Sequence, residues 1–136
     1  MTARYLVDTS AWHRSGRAAD RWLELAEVDR LALCVPVTLE ILFAARTKRE
    51  YEDLAESLDG FQQFSLNDRA GRLATSIQAS LAERSQHRGP SPVDVLVAAI
   101  AAVHDATLLH YDRHFDAIAR VTGQRMEWIA RRGSLD

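Results

Sequence analysis

The chain reads as one α/β domain with a mainly parallel sheet of four to five strands, flanked by helices. Three observations predict it. Short β-favouring apolar runs alternate with helix-length segments. The runs lack polar alternation, as strands covered on both faces do. Caps and breakers fall between them. At 136 residues the chain has the usual size of a single domain, spanning 1–136, able to bury a core without disulfides or structural metal.

Residues 4–7 form the first strand, because Tyr5, Leu6 and Val7 are an apolar run that stops at Asp8. Thr9 or Ser10 then caps a short helix ending near Gly16. A helix over 18–27 carries Trp22, Leu23, Leu25 and Ala26 at three-and-four spacing, and Leu31 to Val35 is a second strand. Pro36 opens a helix through about Arg46. A polar amphipathic helix runs from Lys48 to Leu58 and ends at Asp59-Gly60, and Phe61 to Leu66 holds a third strand. Asn67 caps a long helix to about Gln86, and the breaker Arg88-Gly89-Pro90-Ser91-Pro92 follows. Ser91 caps the next helix, which is apolar on every side from Val93 to Val103 and therefore buried. Thr107 to Tyr111 is a fourth strand, Phe115 to Thr122 a helix closed by Gly123, and Met126 to Ile129 a last strand.

Composition narrows the function classes. The lone cysteine, Cys34, sits in an apolar run and reads as a buried thiol, which excludes a disulfide framework and fits a reducing cytoplasm. The opening Met-Thr-Ala-Arg lacks the pattern of a secretory signal. The longest apolar run, Val95 to Val103, is too short for a membrane span. A formal charge of −2 argues against a broad basic face for nucleic acid. Lys48 is the only lysine; arginine's planar fork permits bidentate phosphate contact, although GC-rich coding explains the bias better.

Four acids stand where such folds bind ligands, outside the carboxyl ends of the strands. Asp8 follows strand one and Asp112 follows strand four; singly, each reads as a turn former. Glu40 has Pro36, Val37, Phe43 and Ala44 at helical spacing. A carboxylate on that apolar surface is either paired with a ligand or reaches water at a groove mouth. Asp94 lies in a first helical turn, where Ser91-x-x-Asp94 resembles a capping box, a sufficient structural role. Together the four can face one cleft. Two negative charges at about 4 Å repel by roughly 4 kcal/mol at an effective dielectric near 20, so the cluster needs cations or protons. An oxygen-only set suits Mg²⁺ or Mn²⁺ and not zinc.

Val7-Asp8-Thr9-Ser10, Pro36 to Ala45 around Glu40, Ser91-Pro92-Val93-Asp94-Val95-Leu96-Val97-Ala98-Ala99, and Tyr111-Asp112-Arg113-His114-Phe115 occur in that order. This pattern resembles the PIN domain, and in particular the VapC toxins of bacterial toxin–antitoxin pairs, over residues 4 to about 129. The resemblance implies a cytoplasmic Mg²⁺- or Mn²⁺-dependent endoribonuclease that cleaves by metal-activated water and leaves a 5′-phosphate. Asp8, Glu40, Asp94 and Asp112 would be the site acids, with Asp8, Asp94 and Asp112 on metal and Glu40 on a second ion or the water. It also implies an RNA substrate, a VapB-type antitoxin and a homodimer, for which Trp12, Trp22 and Phe61 offer apolar surface. Many relatives carry a further acid where this chain has His114; Asp116 lies nearby, but the strand end favours Asp112 as the ligand.

Other chemistries lack their residues. There is no Gly-x-Ser-x-Gly elbow, no phosphate loop and no Gly-x-Gly-x-x-Gly. Ser10 stands where a dehalogenase-type phosphatase needs a second aspartate, and Lys48 is misplaced for a phospho-receiver. The remaining alternatives are a housekeeping RNA-processing PIN nuclease with the same chemistry, and a non-catalytic PIN-like module whose acids serve as caps and turns.

Overall fold

The computed structural model describes residues 4–27 and 30–136; Met1 to Ala3, part of the opening that lacks a secretory pattern, lie outside them. Strands β1 (Tyr5–Val7), β2 (Leu31–Leu33), β3 (Gln62–Gln63), β4 (Thr107–His110) and β5 (Met126–Trp128) form one sheet in the order β3-β2-β1-β4-β5. Every pairing is parallel, with Tyr5 beside both Leu31 and Thr107. All carboxyl ends therefore share one rim. In β2 every residue is buried, as are Leu108, Leu109 and His110 of β4, so helices cover both faces.

The helices are α1 (Thr9–Trp12), α2 (Ala19–Glu27), α3 (Val35–Phe43), α4 (Lys48–Leu58), α5 (Asp68–Glu83), α6 (Pro92–Val103) and α7 (His114–Thr122). Helix α6 is the buried one: Val95, Val97, Ala98, Ala99, Ile100 and Ala101 are all inaccessible, and α6 packs against α3, α5 and α7. Its small residues let those neighbours approach closely. Cys34 is buried, which pushes its thiol up to about 11 and leaves it protonated and inert at neutral pH.

The expected elements all occur, with shifts at their ends. Strand β2 stops at Leu33, because Cys34 is already the extended residue before α3. Helix α3 ends at Phe43, short of Arg46: Ala44 and Ala45 donate to Ile41 and Leu42 in a tightening last turn, and Thr47 must be extended to cap α4. Strand β3 keeps only two residues of Phe61 to Leu66, since it pairs on one side with a three-residue strand. Helix α5 stops at Glu83, ahead of Ser85 at φ 56°. The cap of α1 is neither Thr9 nor Ser10 but Asp8, whose carboxylate accepts from the Ser10 N–H. Trp12, Trp22 and Phe61 meet edge to face or tilted with centroids 5.6–6.3 Å apart, so these half-buried rings pack against one another within the chain.

Two glycines test this frame with opposite signs. Gly123 closes α7 at φ 68°, a conformation that a side chain destabilises by roughly 1–2 kcal/mol. Gly71 lies within α5 with open space where a Cβ would go. Urea denaturation should show Gly123→Ala destabilised by about 1 kcal/mol and Gly71→Ala stabilised by about 0.5–1 kcal/mol. Equal effects would contradict the two backbone assignments.

Candidate metal centre

The turn after β1 is locked by one hydroxyl. The Ser10 Oγ donates to Asp8 Oδ2 at 2.6 Å and accepts from the backbone N–H of Tyr111 at 2.9 Å, while the Ser10 N–H donates to the same carboxylate at 3.0 Å. The segment after β1 is thereby tied to the segment after β4. Leaving the buried Tyr111 N–H unpaired would cost roughly 1–3 kcal/mol. Asp8 itself is 4 % exposed.

Asp94 completes a capping box: its Oδ2 accepts from the Ser91 N–H at 2.9 Å and the Ser91 hydroxyl accepts from the Asp94 N–H at 3.1 Å. The cap orients the carboxylate without using all its lone pairs. Asp112 is held from below by His110, whose Nδ1 accepts the Asp112 N–H at 3.1 Å. His110 is buried between Phe115 and Trp128, and that burial lowers its pKa to about 4, so the ring stays neutral and able to accept. The His114 N–H donates to Asp112 Oδ1 at 2.9 Å, and its ring Nδ1 stands 3.2 Å from the same oxygen.

Among the described residues, Asp94, Asp112 and His114 each offer a ligand atom within 4.8 Å of the others. All three are half-buried. Two of the four expected acids thus converge with His114, a residue the sequence offered for a metal-bound water or an RNA phosphate and not as a ligand. Asp8 and Glu40 border this group: the charges of Asp94 and Glu40 both act to raise the Asp8 pKa. Glu40 is exposed at the mouth, where its Oε1 accepts from the Thr9 hydroxyl at 2.8 Å, so it reaches water and is not sealed in apolar surroundings. Asp116 is engaged elsewhere, accepting from Trp128 Nε1 at 3.3 Å and lying 3.6 Å from Arg132.

Burial and mutual repulsion shape the electrostatics of these acids. Burial, followed by the charges of Asp94 and Glu40, raises Asp8 to about 6 in spite of both Ser10 hydrogen bonds. Burial and the Asp112 charge raise Asp94 as well. Protonation relieves such repulsion, and so does a cation. Two carboxylates with an imidazole, flanked by two further acids, fit a divalent ion. His114 places a nitrogen beside the oxygen donors that the acids by themselves offered.

The PIN domain family model matches residues 5–121. The chain is 37 % identical to ribonuclease VapC18 of Mycobacterium tuberculosis, with 96 % of this chain and 98 % of that protein covered. It is 39 % identical to ribonuclease VapC51 of the same organism over the whole of both chains. The fold superposes on a DNA-bound VapBC structure from Salmonella typhimurium with a TM-score of 0.75 at 17 % identity, covering 94 % of this chain and 99 % of that one. Full-length likeness and the shared parallel sheet agree with the order of acids around its rim: the chain belongs to the PIN-domain family, among its VapC ribonucleases.

Proposed function

We propose that this chain is a divalent-metal-dependent endoribonuclease acting as the toxin of a VapBC-type toxin–antitoxin pair. The observation that carries this reading is the convergence of Asp94, Asp112 and His114 on the rim where Asp8 and Glu40 also stand. The VapC names of the full-length relatives support RNA as the substrate.

In this reading Asp8, Asp94 and Asp112 hold Mg²⁺ or Mn²⁺, with His114 as an added donor. The ion supplies Lewis acidity toward a phosphodiester and lowers the pKa of water. Ser10 fixes the Asp8 carboxylate by two hydrogen bonds, and His110 fixes the backbone of Asp112. Thr9 holds Glu40 at the mouth, where its exposed carboxylate orients the attacking water and accepts its proton.

A partner surface is also present. Val35, Leu39 and Phe43 recur every four residues along α3 and are 55 %, 60 % and 91 % exposed. An apolar stripe of this kind is a contact surface in want of a partner, and it supports a homodimer and a VapB-type antitoxin. The VapBC assembly of the Salmonella neighbour is consistent with the pairing. Among the described residues no helix is long and apolar enough to cross a membrane; the cytoplasm, where its RNA would be, is the proposed location.

Purified protein should cleave RNA only with Mg²⁺ or Mn²⁺; undiminished cleavage in excess EDTA would sink the reading. Asp112→Asn should lower Mn²⁺ affinity and cleavage rate by at least about tenfold, whereas Asp116→Asn, already engaged with Trp128 and Arg132, should change either less. A larger effect of Asp116→Asn in a folded protein would reassign the ligand.

The stability of metal-free protein tests Asp8 separately. Its folded pKa of about 6 lies above the ordinary 3.8, so the ionised group opposes folding. That cost appears as pH rises from about 4 to 6 and is complete above. Asp8→Asn should therefore be more stable than wild type at pH 7.5, by up to roughly 3 kcal/mol, and the advantage should vanish near pH 4. A lower stability of Asp8→Asn at pH 7.5 would make Asp8 a structural carboxylate.

A further inference from the structure

A polar groove of about 440 Å³ adjoins the metal centre on the β5 side, lined by Ser10, Arg14, Tyr111, Asp112, Arg113 and Arg132 with Trp128, Gly133 and Asp136. It shares Ser10 and Asp112 with the centre, so whatever fills it lies against the reacting phosphate.

Three guanidiniums reach this one groove in a chain of net charge −2. Their situations differ. Arg14 lies 4.6 Å over the Tyr111 ring, with one Nη donating to the Ser10 carbonyl at 3.1 Å, while its Nε is buried with no partner. Arg113 is exposed beside Asp112 at the start of α7. Among the described residues neither is ion-paired. Arg132 lies 5.8 Å over the Trp128 ring and 3.6 Å from Asp116, which already neutralises it in part.

A cation stacked on an aromatic ring has surrendered most of its rotamer freedom before any ligand arrives. An acidic rim repels a polyanion, so a substrate strand needs fixed cations close beside it. We propose that this groove is the subsite for the RNA backbone adjacent to the scissile bond, with Arg14 and Arg113 each contacting a phosphate of a single-stranded segment and Arg132 contributing less. This rests on the ribonuclease reading above. The ligand is a phosphodiester chain, recognised through its charge and not its bases, and it enters from the β5 flank while Glu40 faces the β2 side. Asp136 on the far wall limits how much negative charge the groove accepts.

The test is binding of a fluorescein-labelled single-stranded RNA by anisotropy in EDTA, where the strand stays intact, at several NaCl concentrations. Arg14→Gln and Arg113→Gln should each weaken binding and flatten the plot of log Kd against log salt by about 0.7, the loss of one phosphate contact on a single strand. Arg132→Gln should flatten it less, and Arg72→Gln, on the exposed face of α5 and outside the groove, should leave it unchanged. With Mn²⁺ the same Arg14 and Arg113 variants should raise KM while kcat and Mn²⁺ affinity hold. Thermal melts confirm that each variant folds; if Arg14→Gln does not, Arg14→Lys should retain the slope and Arg113→Gln alone decides. Wild-type slopes in both variants, an equal effect from Arg72→Gln, or loss of antitoxin capture with RNA binding intact would overturn the subsite. Metal-independent cleavage, or none with any ion, would instead sink the ribonuclease reading while the binding slopes still judge the groove.

Discussion

The Ser10 hydroxyl joins the two halves of the site. It donates to Asp8 and accepts from the N–H of Tyr111, so a single atom ties the turn after β1 to the turn after β4. Those strands are neighbours at the centre of the sheet, and both acids that follow them depend on this tie for their placement. A hydroxyl is suited to the task because it can donate and accept at once. Alanine at this position would remove both bonds and strand a backbone donor. The carboxylate, the cap of α1 and the rim of the sheet are therefore one unit.

Around that unit, stability is given up for readiness to bind. Asp8 is buried, has like charges on two sides and retains its proton to an unusually high pH. Fixed dipoles from Ser10 reduce the cost but do not cancel it. The groups behind the centre behave oppositely: His110 is kept neutral by its aromatic surroundings, and Asp116 is absorbed by Trp128 and Arg132. Behind the centre these groups find partners, whereas the repulsion among carboxylates gathers on the side that faces solvent. Such confinement is expected where a charged ligand supplies what the fold leaves out.

Much of this was legible in the sequence because it rests on local chemistry. The alternation of apolar runs and helical segments identified every strand and helix, and Ser91-Pro92 and Asn67 marked the starts of α6 and α5. Element ends were less legible, since they depend on partners: β3 is short because its neighbour is short, and α3 stops because Thr47 must cap the next helix. The order of the acids was readable, but their separations were not. His114 joined Asp94 and Asp112 through a turn that brings its ring back over the carboxylate, a three-dimensional event with no signature in Asp112-Arg113-His114. Trp12, Trp22 and Phe61 lie in separate segments, so nothing in the sequence showed that the three rings would pack against one another.

The strand order also sets a schedule for synthesis. Strand β1 pairs with β4 through Tyr5 and Thr107, so the centre of the sheet joins segments far apart in the sequence. Contacts of such long sequence separation form late and slowly. Until β4 has been made, the Ser10 hydroxyl beside Asp8 has no Tyr111 amide to accept from, and the rim is incomplete. The acidic rim is in this way assembled only after β4 has been made and has paired with β1, by topology alone.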